Sequence, residues 1–453
     1  MSVSCSDRNA RRRGRRGFVQ MFGALMVFFI LAPAAGLAID VGMMYLVQSL
    51  LSAASDGAAL AGARAFSRGS DDSQQRANAE ATANAYLRAN FPSGYMFSTD
   101  LSVDSHAATD SDHVRSLTTN ASVRLPLIFL RLFRTESTLV STSSKATRRD
   151  ANVMIIMDRS SSLQSSGACT PLKKAAINFV NKFAEGRDNL GLITFATSSR
   201  VDNALSATFK TAVTATLNQV KCTGYTNSSQ ALWQGYDALV TLNQPGALNA
   251  LVFFTDGRPT AVTEDFPIKP SPGDNCTPKT QTGVVIDTPD AVYVYQAPPQ
   301  PMTSDQTLIS GTHHCDQPSV SHIQYAPLLD HWLNSLTATG YKSVTYSGDG
   351  LKISSGSNVE NFSTNAADHA ALRVRRADPD PDQANRSLEG VVIYSIGLGD
   401  VDEVFLKRVS NDVSLSPNPV AAGAHGKYEY AGDASQLNDA FTRVASEVLR
   451  LAQ

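Results

Sequence analysis

The chain has 453 residues and a formal net charge of −2, but its positive charge is unevenly placed, with six arginines crowded between Arg8 and Arg16. With that basic tail set aside the remainder is acidic, so the charge balance gives no support to nucleic-acid binding. Behind the tail, an uncharged stretch from Phe18 to Ile39 runs for 22 residues and would span ~33 Å as a helix. This predicts one membrane-spanning helix. Ala34-Ala35-Gly36 imitates a signal-peptide cleavage site, yet the apolar pattern continues to Met43 and Met44, which favours an uncleaved anchor. Arginines on one flank place residues 1–17 in the cytoplasm and everything beyond Asp40 outside it.

Beyond the membrane segment the chain reads Ala38-Ile39-Asp40-Val41-Gly42 and then Leu51-Ser52-Ala53-Ala54-Ser55-Asp56-Gly57-Ala58-Ala59-Leu60-Ala61-Gly62-Ala63. Together with Arg15-Arg16-Gly17 and the apolar run, this N-terminal part, roughly the first 145 residues, resembles the TadE/TadG family of tight-adherence (Flp) pilus assembly proteins. Alanine and leucine favour one continuous helix to about Asn90, where Phe91-Pro92-Ser93-Gly94 stops it. Its small residues allow close helix approach, either within a stiff stalk packed on its own domain or between copies in a pilin-like array. Pilin-like family members carry a glutamate five residues beyond the processing glycine. Counting from Gly17 that position holds Phe22, which argues against processing as a pseudopilin. Alternating segments at Asp100–Val103, Ala121–Leu125 and Ser137–Ser144 read as strands, so residues 40–148 are expected to form a stalk helix with a small α+β membrane-proximal domain. In the middle segment Ala121, Val123 and Leu125 share a face, and Pro126 ends it. The apolar run Leu127-Ile128-Phe129-Leu130 then needs cover, which the helix supplies more readily than the membrane surface.

From about residue 151 the pattern changes to buried strands that alternate with helices, predicting an α/β doubly wound parallel sheet through 453. Val153–Met157 runs into Asp158-Arg159-Ser160-Ser161-Ser162, and Ala250–Thr255 runs into Asp256-Gly257. Ligands of such sheets bind beyond the carboxyl ends of the strands, so these loops should converge. Their donors are all oxygen, the preference of a hard divalent cation such as Mg²⁺. The order Asp158-x-Ser160-x-Ser162, then Gly224-Tyr225-Thr226-Asn227, then Thr255-Asp256-Gly257 resembles the von Willebrand factor type A domain and its metal-ion-dependent adhesion site. Leu190–Phe195 and Val391–Gly399 look like the family's neighbouring strands. The resemblance implies that Asp158, Ser160, Ser162, Thr226 and Asp256 hold the cation, leaving one position for an acidic group of a protein partner. It implies recognition with no bond-breaking. The plainer reading is a serine-rich loop that caps the following helix. An A domain behind a TadE/TadG-like N-terminus is the arrangement of TadG-like proteins.

An insertion at about 260–388, dense in Pro, Ser, Thr and Asp, interrupts the A-domain pattern and is periodic mainly at Ile323–Leu336. It is read either as a lid or partner surface over the cation or as a surface excursion. The final helix is expected at Ala434–Leu451. Of five cysteines, Cys5 lies in the tail, and the other four can pair in three ways. Cys169 with Cys222 would join two loops of the cation site, and Cys276 with Cys315 would staple the insertion. A rival use is a soft-metal site at His313-His314-Cys315, with His322. Enzymatic readings fare poorly: Gly397-Leu398-Gly399 is an incomplete dinucleotide fingerprint, no phosphate-binding loop motif occurs, and neither Ser160 nor Ser162 sits in a nucleophile-elbow pattern. The sequence therefore points to an inner-membrane, single-pass protein with a periplasmic cation-dependent binding domain of pilus assembly. Its rivals are an adhesion protein unrelated to pili and a structural pilus-like subunit.

Overall fold

The computed structural model describes residues 20–66, 68–69, 71–110, 114–133, 136–269, 279–289, 291–294, 313–314, 323, 325–415 and 423–452. The basic tail, Cys276, Cys315 and His322 lie outside these residues, and of His313 and His314 only the backbone is described. Contacts divide the chain into two compact units: residues up to Thr109 with Arg115–Arg148, and Asp110–Val114 with Arg149 onward.

The first unit begins with a helical run, Gln20–Ala65, long and apolar enough to cross a membrane. It contains a π-turn at Val27–Leu31 followed by α1 (Ala32–Ala65). Pro33 accounts for the wider turn, because it cannot donate to the carbonyl of Phe29 and the turn before it must open. The single helix expected to reach Asn90 is in fact two. The α1 helix ends at Ala65, Gly69 takes φ +130°, and α2 (Asp72–Asn90) starts on the Asp71 cap, whose carboxylate accepts from Gln74 N at 2.9 Å. A glycine conformation closed to other residues and a strong N-cap together outweigh the alanine-rich propensity. The reversal lays α2 back on α1, where a Cβ at Gly62 would come within 2.8 Å of the Ala79 carbonyl and 2.9 Å of the Ala83 methyl. The small residues are thus used inside this unit. A three-stranded antiparallel sheet of β1 (Thr99–Thr109), β2 (Val114–Pro126) and β3 (Ser137–Arg149) packs its buried Leu117, Ala121, Val123 and Leu125 against the helix pair.

The second unit is built on β4 (Ala151–Asp158), β5 (Asn189–Phe195), β6 (Ser199–Ser206) and β7 (Leu248–Thr255). Between them lie α3 (Ser161–Ser165), α4 (Cys169–Val180), α5 (Lys210–Gln219) and α6 (Ser228–Leu242). The insertion contributes β8 (Ala261–Lys269), β9 (Lys279–Ile286), β10 (Val292–Val294), β11 (His313–His314), β12 (Tyr325–Ala326), β13 (Tyr346–Ser347), β14 (Gly350–Lys352) and α7 (Gly356–Arg375). The chain closes with β15 (Val392–Leu398), α8 (Glu403–Ser410), β16 (Tyr428–Ala431) and α9 (Leu437–Leu451). The main sheet runs β16-β15-β7-β4-β5-β6. Every pairing is parallel except β5 with β6, so the expected all-parallel sheet carries one antiparallel edge. The three residues Ala196–Ser198 between β5 and β6 permit only a hairpin, because a parallel crossover needs a dozen or more.

Every residue of β4 and β7 is buried, as a sheet covered on both faces requires. Val153, Ile155 and Met157 face a core with Phe179 and Phe441; Met154 and Ile156 face one with Trp233, Tyr236 and Ala370. Each such side chain contributes ~1.5–3 kcal/mol by leaving water. Within the insertion, the Ile323–Leu336 segment expected to be periodic is mostly irregular, its described residues holding β12 and a bridge between Leu329 and Ser335. Its long helix is α7, whose buried Val359, Phe362, Ala366, Ala370 and Val374 keep helical spacing. Interspersed Asn358, Asn365 and Asp368 obscure that stripe in the sequence. They are buried because they bond the segments packed on either side, Asn365 Oδ1 accepting from Lys342 N at 2.8 Å and Asp368 pairing with Arg408 of α8. Arg373 lies 3.7 Å from the centre of the Trp233 ring and donates to the Trp332 carbonyl at 2.7 Å, tying insertion to core.

A disulfide joins Cys169 to Cys222 across 53 residues of sequence. Closing a loop of that length removes ~4 kcal/mol of unfolded-chain entropy on the simple polymer model, with ~2–4 kcal/mol the usual yield. Cys169→Ser with Cys222→Ser is therefore expected to lower the urea-unfolding free energy of the second unit by ~2–4 kcal/mol, and dithiothreitol should have little further effect on that variant. Gly62→Val should destabilise the first unit by at least ~1–3 kcal/mol, since the atoms it meets include the fixed backbone carbonyl of Ala79 as well as the Leu117 side chain; circular-dichroism melting checks it.

Candidate metal-binding site

Because β4 and β7 are neighbours in parallel register, with Met157 opposite Phe254, their carboxyl ends stop side by side. Asp158 is the last residue of β4 and Asp256 follows the last of β7. The fully buried Asp158 accepts from Ser160 N at 2.7 Å through Oδ1 and from Thr255 Oγ1 at 2.6 Å through Oδ2. Asp256 Oδ1 accepts from Ser162 Oγ at 2.7 Å and from Ser160 Oγ at 3.5 Å, and the two serine hydroxyls lie 2.9 Å apart. The geometry therefore gathers four of the five residues expected from the sequence into one hydrogen-bonded cluster.

Thr226 reaches the same place by another route. Its backbone is pinned between neighbours, the N–H donating to Thr260 Oγ1 at 2.9 Å and the carbonyl accepting from Thr260 N at 2.9 Å. With Ser160, Ser162 and Gly257 it lines a cavity of ≈ 790 Å³. Gly224 takes φ +102°, and a Cβ there would lie 2.7 Å from Thr197 Oγ1, so this turn requires glycine. The two loops are also bonded directly: Ser161 N donates to the Gly224 carbonyl at 2.9 Å and Thr223 N to the Arg159 carbonyl at 2.7 Å. The disulfide locks the same pair of loops.

Electrostatics set the character of the pocket. Burial, and then the neighbouring charge of Asp256, pushes the Asp158 carboxyl up to about 7, and burial raises Asp256 as well. Two acids thus share a poorly solvated space whose other donors are hydroxyls. That donor set fits a hard divalent cation, which would relieve the crowding of charge and accept both carboxylate and hydroxyl oxygens. Among the described residues no group of three or more His, Cys, Asp or Glu is placed to hold a metal, so a cation here would depend on Ser160, Ser162 and Thr226 as much as on the acids.

Several further residues shape the site. Thr255 orients Asp158, and its place at the carboxyl end of a buried strand was the available signal. Tyr293 of β10 and Glu360 of α7 form part of the cavity wall, joined by Asp400 and by Arg159 and Arg258. The insertion is also fastened to the site's loops, through Tyr225 Oη to Thr288 Oγ1 at 3.2 Å and Thr260 N to the Thr226 carbonyl at 2.9 Å. Nothing in the insertion's own sequence marks these contacts.

No curated protein matches the chain. Among solved structures it is similar to the PilB minor pilin of Streptococcus sanguinis, at 13 % identity over 78 % of this chain and 79 % of that one, TM-score 0.38. It is also similar to the von Willebrand factor domain of the type V pili tip protein Mfa5 of Porphyromonas gingivalis, at 13 % identity over 68 % and 98 %, TM-score 0.39. A third is the pilus adhesin SpaC of Lactobacillus rhamnosus GG, at 14 % identity, TM-score 0.35; the match takes in 78 % of this chain but only 35 % of SpaC. Residues 17–65 match the Flp pilus-assembly TadE/G-like family model and residues 153–258 that of the von Willebrand factor type A domain, so the chain combines a TadE/G-like N-terminal segment with a von Willebrand factor type A domain.

Proposed function

We propose that this protein is a membrane-anchored, cation-dependent binding component of Flp (Tad) pilus assembly. Its helix Gln20–Ala65 spans the inner membrane with the N-terminus in the cytoplasm. Its A domain, on the periplasmic side, captures an acidic group of a partner, in the first instance a pilus component. The observation that carries this reading is the cluster of Asp158, Ser160, Ser162 and Asp256 beside an open cavity that Thr226 also lines. Such a cluster offers a hard cation several oxygens while leaving room on the cavity side for one more ligand. The protein acts by binding and catalyses no reaction. The TadE/G-like segment supports the pilus setting. Use of Gly62 and its neighbours within the first unit supports a binding protein over a subunit that assembles laterally through α1.

Adding Mg²⁺ to metal-stripped protein is expected to raise its melting temperature, since saturation to 100 times Kd adds ~2.7 kcal/mol of stability. Calorimetry should register one site. Asp158→Ala should abolish the heat of binding, and Ser162→Ala should weaken it. Uptake of Mg²⁺, Ca²⁺ and Mn²⁺ unaffected by both substitutions would place any cation elsewhere. Capture of pilus components from membrane extracts is expected to fail in chelator and with Asp158→Ala. Capture indifferent to both would assign the contacts to another surface. Loss of pili in a deletion strain, as opposed to loss of surface attachment alone, distinguishes pilus assembly from adhesion of another kind.

A further inference from the structure

The connection between β2 and β3 is built unlike an ordinary surface loop. It opens at Leu127, whose N–H donates to the Glu136 carbonyl at 3.1 Å, and it includes a 3₁₀ turn at Leu130–Phe133. Sequence there is Leu127-Ile128-Phe129-Leu130-Arg131-Leu132-Phe133, apolar at six of seven positions. A loop on the wet surface leaves its amides to water. Here three successive amides are taken by one side chain: Asp40 Oδ1 accepts from Ile128 N at 3.0 Å, and Oδ2 accepts from Phe129 N at 3.0 Å and Leu130 N at 2.7 Å. Asp40 is fully buried by this arrangement.

The anchor point lies on the apolar part of the long helix. Phe129 packs on Gly36 so closely that a Cβ on that glycine would stand 2.5 Å from the ring. Gly36 lies three residues before Ile39, the end of the uncharged run, which is ~4.5 Å down the helix axis. That is just short of the ~5–10 Å to which interfacial apolar groups reach into the boundary between headgroups and acyl chains, and the Phe129 ring extends from there. Ile128 remains 50 % exposed, and exposed Phe22, Phe28, Phe29, Leu31, Leu37 and Ile39 extend that apolar surface along the helix. Arg131 is exposed at the same loop, where an arginine can cover apolar surface with its stem and reach lipid phosphate with its head.

We propose that the loop Leu127–Phe133 is a second membrane contact, seated in the lipid interface beside the spanning helix. Asp40 makes this possible by satisfying amides that acyl chains cannot. The occupant of the exposed apolar face is the bilayer, because the face is continuous with helix surface that itself needs acyl chains. This inference rests on the membrane-spanning reading of Gln20–Ala65.

The test uses the full-length chain in phosphatidylcholine–phosphatidylglycerol vesicles containing lipids brominated near the carbonyl end or near the methyl end. Trp233 and Trp332 are buried, so the parent protein supplies the background emission. Ile128→Trp is expected to add blue-shifted emission of which roughly half is lost to the shallow bromines and less to the deep ones, as an interfacial position requires. Arg131→Trp, also at an exposed position, repeats the measurement should the first variant be poorly folded. Phe28→Trp, within the span, should be quenched most by the deep bromines. Phe28→Trp quenched with Ile128→Trp and Arg131→Trp untouched would overturn the loop proposal alone. All three untouched would overturn the spanning reading and the loop proposal together. Blue-shifted emission from Ile128→Trp that no bromine quenches would assign the loop to protein contact and overturn the proposal as well.

Discussion

Parallel pairing of β4 with β7 is the constraint on which the second unit depends. Once Ala151 lies opposite Leu248 and Met157 opposite Phe254, Asp158 and Asp256 are delivered to one edge of the sheet with no further specification needed. The hydrophobic effect enforces that register, because every residue of both strands is buried and a slip would turn each side chain to the wrong layer. Stability thus comes from Val, Ile, Met and Phe, while the acids at the strand ends are costly passengers. Asp158 carries that cost openly, its burial being only partly offset by the Ser160 amide and the Thr255 hydroxyl.

The remaining devices around the cluster hold geometry that the strands alone leave loose. Loops beyond strand ends are free to move, so the Ser160 and Thr226 loops are tied by direct hydrogen bonds and by the Cys169–Cys222 bridge. The insertion acts on the same place from the other side. It leaves the sheet beside Asp256, returns Tyr293 and Glu360 to the cavity wall, and is fixed to the core by Arg373 stacked on Trp233. A segment placed this way shapes the wall of the cavity.

In the first unit one residue has a comparable role. Asp40 sits where the apolar run ends, and its two oxygens organise three amides nearly ninety positions later in the chain. A carboxylate that looks in sequence like the boundary of a membrane segment is in structure the clasp between that helix and the far end of the sheet. The reversal at Gly69 and Asp71 likewise turns what composition reads as a stalk into a helix pair that buries its own small residues.

By itself the sequence determined whatever local pattern and strand-end chemistry can encode. Uninterrupted apolar runs named β4 and β7, period-2 alternation named the face of β2, the oxygen-rich strand ends singled out Asp158, Ser160, Ser162 and Asp256, and the resemblance to the von Willebrand factor type A domain added Thr226. The spacing of Leu437, Phe441, Val444 and Val448 marked the last helix, while the position of two cysteines beside those loops made their bridge one of three possible pairings, which the fold then selected. Only the tertiary structure decided the rest. The antiparallel edge β6, the break between α1 and α2, the polar-studded α7 and the service of Thr255, Tyr293 and Glu360 at the cavity all depend on partners distant in the chain. Burial is what makes Asn358 and Asn365 helix-core residues and Asp40 a clasp, and burial is a property of the assembled fold that no window of neighbouring residues contains.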